Sequence, residues 1–590
     1  MAIPERSNAA IAEALDELGD LYELDGAIVH RVLAYRTAAK SVREASVSVA
    51  ALARDGRASE LPGIGATLQE KILALVETGT IPAAERLRAQ FPPGLVAVTR
   101  LPGLGAKRAR LLHSELGVDS LAKLREAALA QRIRTVRGLG PKLEERVLEA
   151  LEQGAGERSE PRLLLPKALE LGEQLAAGLS ELGGAETHVQ IAGSARRWAD
   201  SVKDIDLIAV TNRPATLAKG LGKLEQIASV GSAGKAGARA RTYSAVSVDL
   251  RIAKPAQLGN LLQHFTGSGR HNASLREAAV RRGLHVSEYG LLDDAIGRTR
   301  TCASEQEVYE LLGLAYIEPE LRENRGELAA ALADFTADGE RRALPELIEL
   351  GDIRGDLHSH TVASDGHNTI AEMAHAAREL GYGYLAITDH SATHGFGNDV
   401  SPEQLRRQIE LVHAANASIA GIELLAGSEV NILPDGSLDY DDELLGALDW
   451  VIASAHTSFG MSEQAMTERM IAAIEHPFVD AIGHPTGRLI ERREPYAIDL
   501  DAVFAAAARA GTFLEINANP DRRDLSDVNA RAAARAGVRL LIDSDAHRTR
   551  TLANMRWGIA TARRAWLSAA DVLNTRSWPE LQPLRKQSRQ

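Results

Sequence analysis

Nine side chains able to hold metal ions follow one another between residues 356 and 547, and most of them stand at the end of a short apolar run. His358 and His360 open the stretch DLHSHTVASDG, which also carries Asp365. TDH then ends at His390, GSE at Glu429, SAH at His456 and GHP at His484, and SDAH supplies Asp545 and His547. Imidazole mixed with carboxylate suits Mn²⁺ or Zn²⁺ better than the all-oxygen set that Mg²⁺ prefers. Several cations bridging a phosphate polarise phosphorus and supply hydroxide near neutral pH, so hydrolysis needs no protein nucleophile. One HxH pair carries little information; the ordered series predicts a hydrolytic multi-metal centre. His375, His413 and His476 fall in helical stretches and are set aside. Arg488, Asn517 and Asn519 lie near the series, but spacing gives them no role.

A second constellation sits in IAGSARRWADSVKDIDLIAV, residues 191–210. Asp204 and Asp206 are two apart on a predicted strand, so both carboxylates face one side, about 6–7 Å apart along the backbone. Such a pair can share two Mg²⁺ or Mn²⁺ ions, one activating a 3′ hydroxyl and one steadying pyrophosphate. Asp249, in the strand-like SVDLRI, could complete the trio. Gly193-Ser194 makes a turn that brings backbone amides and a hydroxyl towards phosphates.

The elements that must position these groups fall into blocks. Residues 8–50 carry helical periodicity, with Ile11, Leu15 and Leu18 on one face and Ile28, Val32 and Tyr35 on another. LPGIGATLQEKI (61–72), LPGLGAKRARLL (101–112) and VRGLGPKLEERV (136–147) then repeat an apolar-x-Gly-apolar-Gly turn followed by a helix. Gly63 and Gly65, Gly103 and Gly105, and Gly138 and Gly140 allow tight hairpins, and the free amides of each following helix can hold a phosphate oxygen. Lys71 and Lys107 follow within a turn or two. QGAGERSEPR (153–162) marks a joint, VQIAGSARR, VKDIDLIAV and SVDLRI alternate as strands do, and residues 266–335 are expected to return to helix. After a linker, short apolar strands alternate with Ala-rich helices from Asp352 onward, the rhythm of a βα barrel.

The glycine pattern resembles the helix-hairpin-helix motif, and the block around Asp204 resembles the nucleotidyltransferase superfamily. With HFTGSGRHNASLR at 264–276, the likeness narrows to family X DNA polymerases and covers essentially the whole chain, because bacterial members append a polymerase and histidinol phosphatase (PHP) domain. The resemblance implies a multidomain α and α/β protein. Its expected parts are an N-terminal helical DNA-binding domain (1–90), helix-hairpin-helix fingers (91–155), a nucleotidyltransferase palm (156–262), a thumb (263–335), a linker (336–350) and a distorted βα barrel (351–590). Asp204, Asp206 and Asp249 would be the catalytic, metal-binding carboxylates. Gly193, Ser194 and Arg197 would contact the incoming triphosphate; Phe265, Gly267 and Asn272 would line the nucleotide pocket, and Arg276 would approach the template. His264 and Gly269 depart from the vertebrate repair member, which has tyrosine and aspartate there. Lys71 aligns with that member's Schiff-base lysine, but the supporting lysine is replaced by Thr67, so a helix-surface lysine near a DNA 5′ phosphate is the preferred reading. The three-metal PHP cluster would use the nine residues of the series.

Bulk properties agree with these expectations. The formal net charge of −12 excludes a uniformly basic surface, yet residues 61–150 hold 14 Lys/Arg against 9 Asp/Glu, which favours DNA backbone there. Aromatics are 4% of the chain, so contact through phosphates is expected over base stacking. Cys302 is the only cysteine, which rules out an internal disulfide and fits a reducing compartment. The first twenty residues lack a secretory pattern and no apolar run spans a membrane, so a cytoplasmic monomer acting on DNA and deoxynucleotides is expected. The expected activity is short-gap DNA repair synthesis with a Mn²⁺-dependent 3′–5′ exonuclease, and abasic-site incision is within the metal centre's reach. A small-molecule phosphatase with a vestigial N-terminal half and a non-catalytic DNA-end scaffold are the alternatives; the GSxRR turn, the DxD pair and Asp249 argue against the first, and intact carboxylates in both halves against the second.

Overall fold

The expected N-terminal helices form as α1 (Asn8–Leu24) and α2 (Val29–Glu44). This computed structural model describes residues 6–101, 103–152, 162–336, 343–395 and 398–586. Ile11, Leu15 and Leu18 are fully buried, and Val32 and Tyr35 pack with them. Ile28 does not: it caps α2 in extended conformation, off the helical period, and is 72% exposed. The three glycine turns lead into α3 (Ala66–Thr78), α4 (Ala106–Leu116) and α5 (Pro141–Glu152). The first glycine of each copy, Gly63, Gly103 and Gly138, has positive φ, which explains its residue type.

The chain divides into two compact units. One comprises residues up to 163 with 169–191 and 203–253; the other comprises 164–168, 192–202 and everything from 254 onward. The first unit adds to its helices a five-stranded sheet of β1 (His188–Ile191), β2 (Asp204–Val210), β3 (Ile227–Gly234), β4 (Gly237–Thr242) and β5 (Ser247–Ala253), in the order β1-β2-β5-β4-β3. Only β2 and β5 pair in parallel.

In the second unit, α6 (Leu258–Thr266) and α7 (Gly269–Val280) are followed by a three-stranded antiparallel sheet of Leu284–Ser287, Gly290–Asp293 and Arg298–Arg300. The return to helix expected over 266–335 is thus interrupted, because the glycines and paired acids of 283–297 make hairpins rather than helical turns. Residues 153–161 of the proposed joint at 153–162 and residues 337–342 of the proposed linker lie outside the described residues. Residues 343–349 carry no helix or strand, but Leu344, Leu347 and Ile348 are buried.

The barrel has seven parallel strands in sequential order: β6 (Gly355–Asp356), β7 (Tyr384–Ile387), β8 (Glu423–Asn431), β9 (Trp450–Ser454), β10 (Ala481–Ile482), β11 (Phe513–Asn517) and β12 (Leu540–Asp543). Between β6 and β12 side chains do much of the closing: Leu357 N donates to Asp543 Oδ1 at 2.9 Å and Ser544 N to Asp356 Oδ1 at 3.1 Å. Every strand or its immediate end sends apolar groups inward, among them Leu357, Tyr384, Leu425, Trp450, Ala481, Phe513 and Leu541. Trp578 and Leu581, from the C-terminal segment, complete this interior cluster.

Trp578 lies 5.9 Å from the Tyr384 ring, centroid to centroid. Truncating so large a buried side chain leaves a cavity, so Trp578→Ala should destabilise the protein by about 3–5 kcal/mol. Urea unfolding of the full chain checks this.

Candidate functional site

The C-terminal ends of the barrel strands bring all nine residues of the series together. His358 and His360 follow β6, His390 follows β7, Glu429 lies within β8, His456 follows β9, His484 follows β10, and Asp545 and His547 follow β12. Asp365 joins from the loop after β6 and is the most exposed, its side chain 38% accessible. Three groups could each hold an ion, with ligand atoms within 4.8 Å of one another: His360, Asp365, His390 and His547; His358, His360 and Asp545; and His390, Glu429 and His456.

Glu429 is the hub. Its Oε2 is 2.8 Å from His390 Nδ1, and its Oε1 is 2.9 Å from His484 Nε2 and 3.2 Å from His456 Nε2. His360 Nε2 lies 3.2 Å from Asp545 Oδ1, and His547 Nε2 lies 3.2 Å from Asp365 Oδ1. Asp545 and His484 occupy left-handed backbone at φ 50° and 29°, conformations that only a rigid surround sustains.

The chemistry of the donors fits cations. His358 Nε2, both ring nitrogens of His360 and Glu429 Oε2 are buried and face other ligand atoms without a well-directed hydrogen bond among the described residues. Buried polar groups of this kind are costly unless a ligand satisfies them. Burial and neighbouring charges shift the imidazoles of the cluster in opposite directions. Burial, with His547 and His390 adding to it, drives His360 down to about 4. Against its own burial, Glu429 and Asp365 push His390 up to about 10. Burial, then Arg522, holds His484 down to about 3.

Several residues that no spacing argument singled out set this geometry. β11 supplies no ligand, yet Glu515 Oε1 is 2.7 Å from His358 Nδ1, so the ring donates there and presents Nε2 to the cluster. Glu515 Oε2 accepts from His484 N at 2.5 Å and from Asn517 Nδ2 at 3.1 Å, and the same Nδ2 lies 3.1 Å from Asp545 Oδ2. A carboxylate and an amide two apart in the otherwise apolar FLEIN were the available signal. Asp389 accepts from Thr361 N and Ser364 Oγ on Oδ1, and from Thr361 Oγ1 and Gln408 Nε2 on Oδ2, at 2.5–2.7 Å. It thereby ties the loop bearing Asp365 to the strand end bearing His390. Arg488 points elsewhere: Nη1 pairs with Asp200 at 2.9 Å and Nη2 donates to the Arg523 carbonyl. Asn519 shapes the turn after β11, its N donating to Asn517 Oδ1 at 3.0 Å.

The other constellation is distributed over the two units. In the first, parallel pairing sets Asp206 directly opposite Asp249, with Asp204 two residues before on the same face of β2. Asp249 is held by Arg251, Nε to Oδ1 at 2.9 Å, and by Arg239, Nε to Oδ2 at 3.3 Å. In the second, Gly193 opens a single helical turn with φ 63°, and Ser194 lies within that turn. Arg197 donates from Nη1 to the Thr266 carbonyl at 2.8 Å and from Nε to Glu323 at 2.9 Å. Asn272 Nδ2 donates to the carbonyls of His264 and Gly267, at 2.7 and 3.1 Å. A Cβ at Gly267 would come within 2.5 Å of Asn272 Oδ1, which accounts for the glycine. Phe265 is half-buried beside His264, and Arg276 is exposed on α7.

In the helical region Gly65, Gly105 and Gly140 precede α3, α4 and α5, and a Cβ at any of them would meet open space. The helix N-termini there are unshielded, with Lys107 exposed beside Gly105 and Lys71 half-exposed on α3.

Comparison with known proteins accounts for this layout. A protein of Bacillus subtilis (strain 168) named DNA polymerase/3′-5′ exonuclease PolX is 38% identical over 583 residues, 98% of this chain and 99% of that one. The chain belongs to the PolX family. Residues 6–81 match a helix-hairpin-helix domain, 96–153 a SAM-like helix-hairpin-helix tandem, 261–323 the DNA polymerase beta thumb and 356–519 the PHP domain. The barrel region is also similar to probable phosphatases. One from Thermoanaerobacter sp. (strain X514) is 35% identical over 240 residues, covering 37% of this chain and 89% of that protein. Another, from Caldanaerobacter subterraneus, is 37% identical over 212 residues, covering 32% of this chain and 75% of that protein. Among the described residues no helix is long and apolar enough to cross a membrane.

Removing the partner that orients a metal-binding imidazole typically lowers metal affinity by about 10–100-fold. Glu515→Ala should show a loss of that size for manganese, measured by titration against the apoprotein with circular dichroism as the control for folding. Unchanged affinity would show that the His358 ring is oriented without it.

Proposed function

We propose that this PolX-family enzyme fills short gaps in cytoplasmic DNA by template-directed synthesis and trims 3′ ends with a Mn²⁺-dependent exonuclease in its barrel. The observation that supports the proposal is the presence, in one chain, of two chemically distinct sets of polar groups: three carboxylates on adjacent strands, and an imidazole and carboxylate cluster on a barrel rim in which eight residues form groups able to hold ions and His484 adjoins them through Glu429.

In the polymerising site Asp204, Asp206 and Asp249 hold Mg²⁺ or Mn²⁺. Gly193, Ser194 and Arg197 bind the triphosphate, Phe265, Gly267 and Asn272 shape the pocket for sugar and base, and Arg276 meets the template. Arg251 and Arg239 pair with Asp249 and hold it in place. Divalent cations bound in the barrel would supply the charge that polarises a phosphodiester and acidifies water. His358, His360, Asp365, His390, Glu429, His456, His484, Asp545 and His547 hold them, and Glu515 and Asp389 keep those ligands oriented. The second glycine of each hairpin presents helix amides to DNA phosphates, with Lys71 and Lys107 adding charge, a mode that grips backbone without reading sequence. The likeness to probable phosphatases keeps a phosphomonoesterase reading of the barrel in play. Release of phosphate from histidinol phosphate, compared with release of nucleotides from single-stranded DNA, separates the two.

A labelled primer on gapped duplex, with Mg²⁺ or Mn²⁺ and with or without nucleotides, tests both activities together. Asp204→Ala should abolish lengthening and spare shortening, and His360→Ala should do the reverse. Loss of both activities from either change, with the fold intact, would refute the two-site assignment. Gly105→Glu puts a carboxylate where phosphate is expected and meets no steric obstacle. It should weaken gapped-duplex binding by about tenfold, or about 1.4 kcal/mol, in a fluorescence anisotropy titration, with an unchanged melting temperature.

A further inference from the structure

The turn that follows β11 carries a cation at the edge of the metal-binding cluster. Arg522 Nε lies 3.9 Å from Asp545 Oδ2, and the side chain is 21% exposed. That distance is an ion pair without a hydrogen bond. Arg522 makes no side-chain hydrogen bond among the described residues, so the outer nitrogens of its guanidinium are uncommitted.

The arginines around it are occupied. Arg488 serves Asp200 and the Arg523 carbonyl, and Arg492 pairs with Asp521. Arg493 donates to the Gly487 carbonyl at 2.8 Å and lies over the Phe459 ring. Arg523 is fully buried against Thr561, Asp200 and the Trp198 carbonyl. Arg548 reaches His367 at 2.8 Å.

The backbone under Arg522 is fixed. Asn519 N donates to Asn517 Oδ1, Asp521 N to Asn519 Oδ1, and Arg522 N to the Asn519 carbonyl, all at 2.8–3.1 Å. The same Asn517 touches Asp545, so the turn and the cluster are registered through one side chain. An uncommitted guanidinium held on a rigid turn beside clustered ligands is built to meet an anion, and a phosphate oxygen takes two of its parallel N–H groups.

We infer that Arg522 is a catalytic residue of the barrel centre, its guanidinium gripping a non-bridging oxygen of the phosphate being cut. The inference rests on the exonuclease reading of that centre. In the reaction a water oxygen bonds to phosphorus, the bond to the preceding nucleotide's O3′ breaks, and the departing O3′ gains the proton that water gives up. Negative charge gathers on the non-bridging oxygens as this happens, and a preorganised donor there favours the transition state over the ground state.

The test uses the full chain, a 5′-labelled single-stranded oligonucleotide and Mn²⁺. Arg522→Ala should lower kcat by about a hundredfold or more, with bound manganese per chain unchanged and extension of a gapped primer intact. Guanidinium ion should restore part of the lost rate, and Arg522→Lys should recover less than the native residue because it lacks the fork. Anisotropy with a phosphorothioate oligonucleotide gives a readout apart from turnover, and Arg522→Ala should weaken that binding. Turnover within about threefold of the native enzyme, or equal loss of manganese from both variants, overturns the inference. A native chain that binds manganese and oligonucleotide yet releases no nucleotide removes the exonuclease reading instead. The phosphorothioate comparison then still decides whether Arg522 holds phosphate.

Discussion

The 2.7 Å contact between Glu515 and Nδ1 of His358 ties a strand that contributes no ligand to the residue that begins the ligand series. Through its second oxygen Glu515 also takes the backbone amide of His484, and through Asn517 the same strand reaches Asp545. Nine ionisable groups packed at one barrel end repel, attract and desolvate one another in ways that no single arrangement of the rings satisfies on its own. A fixed carboxylate behind the first histidine chooses which nitrogen faces inward and so sets the frame for its neighbours. Asp389 has the corresponding part on the opposite flank, where it anchors the loop that brings Asp365 to His390 and His547.

The carboxylate trio and the imidazole-rich cluster make different demands on the fold. Three carboxylates need only two neighbouring strands in the right register, and the pairing of Asp206 with Asp249 provides it. Arginines on the same sheet then balance the charge locally. The imidazole-rich set draws on six strands and a loop, and it exists only where the whole barrel is assembled. The likeness of the barrel region to separate phosphatases agrees with that difference, since a closed barrel is a self-sufficient support for a metal cluster.

Much of this was legible in the sequence because the residues concerned announce themselves. A histidine or carboxylate after an apolar run is conspicuous, and all nine fall together; the repeated Gly-x-Gly turns and the alternating strands around Asp204 and Asp249 were equally plain. What escaped notice lies one layer back. Glu515 reads as a strand residue, Asp389 as the middle letter of TDH, and Arg522 as one arginine of a charged loop; only folding gives each a neighbour. Helical periodicity failed at Ile28, because a cap residue stands outside the period it seems to begin. The return to helix expected over 266–335 missed the hairpins for a different reason: apolar spacing alone does not separate short strands from helical turns when glycines intervene.

The seam between β6 and β12 joins stretches nearly two hundred residues apart in the chain. His358 and His360 are made early and Asp545 and His547 almost last, and Trp578 and Leu581 seal the interior later still. During synthesis the phosphate-cutting cluster therefore stays incomplete until the tail has left the ribosome. The helix-hairpin-helix region is made long before that, so a half-made chain carries those turns without a finished cluster.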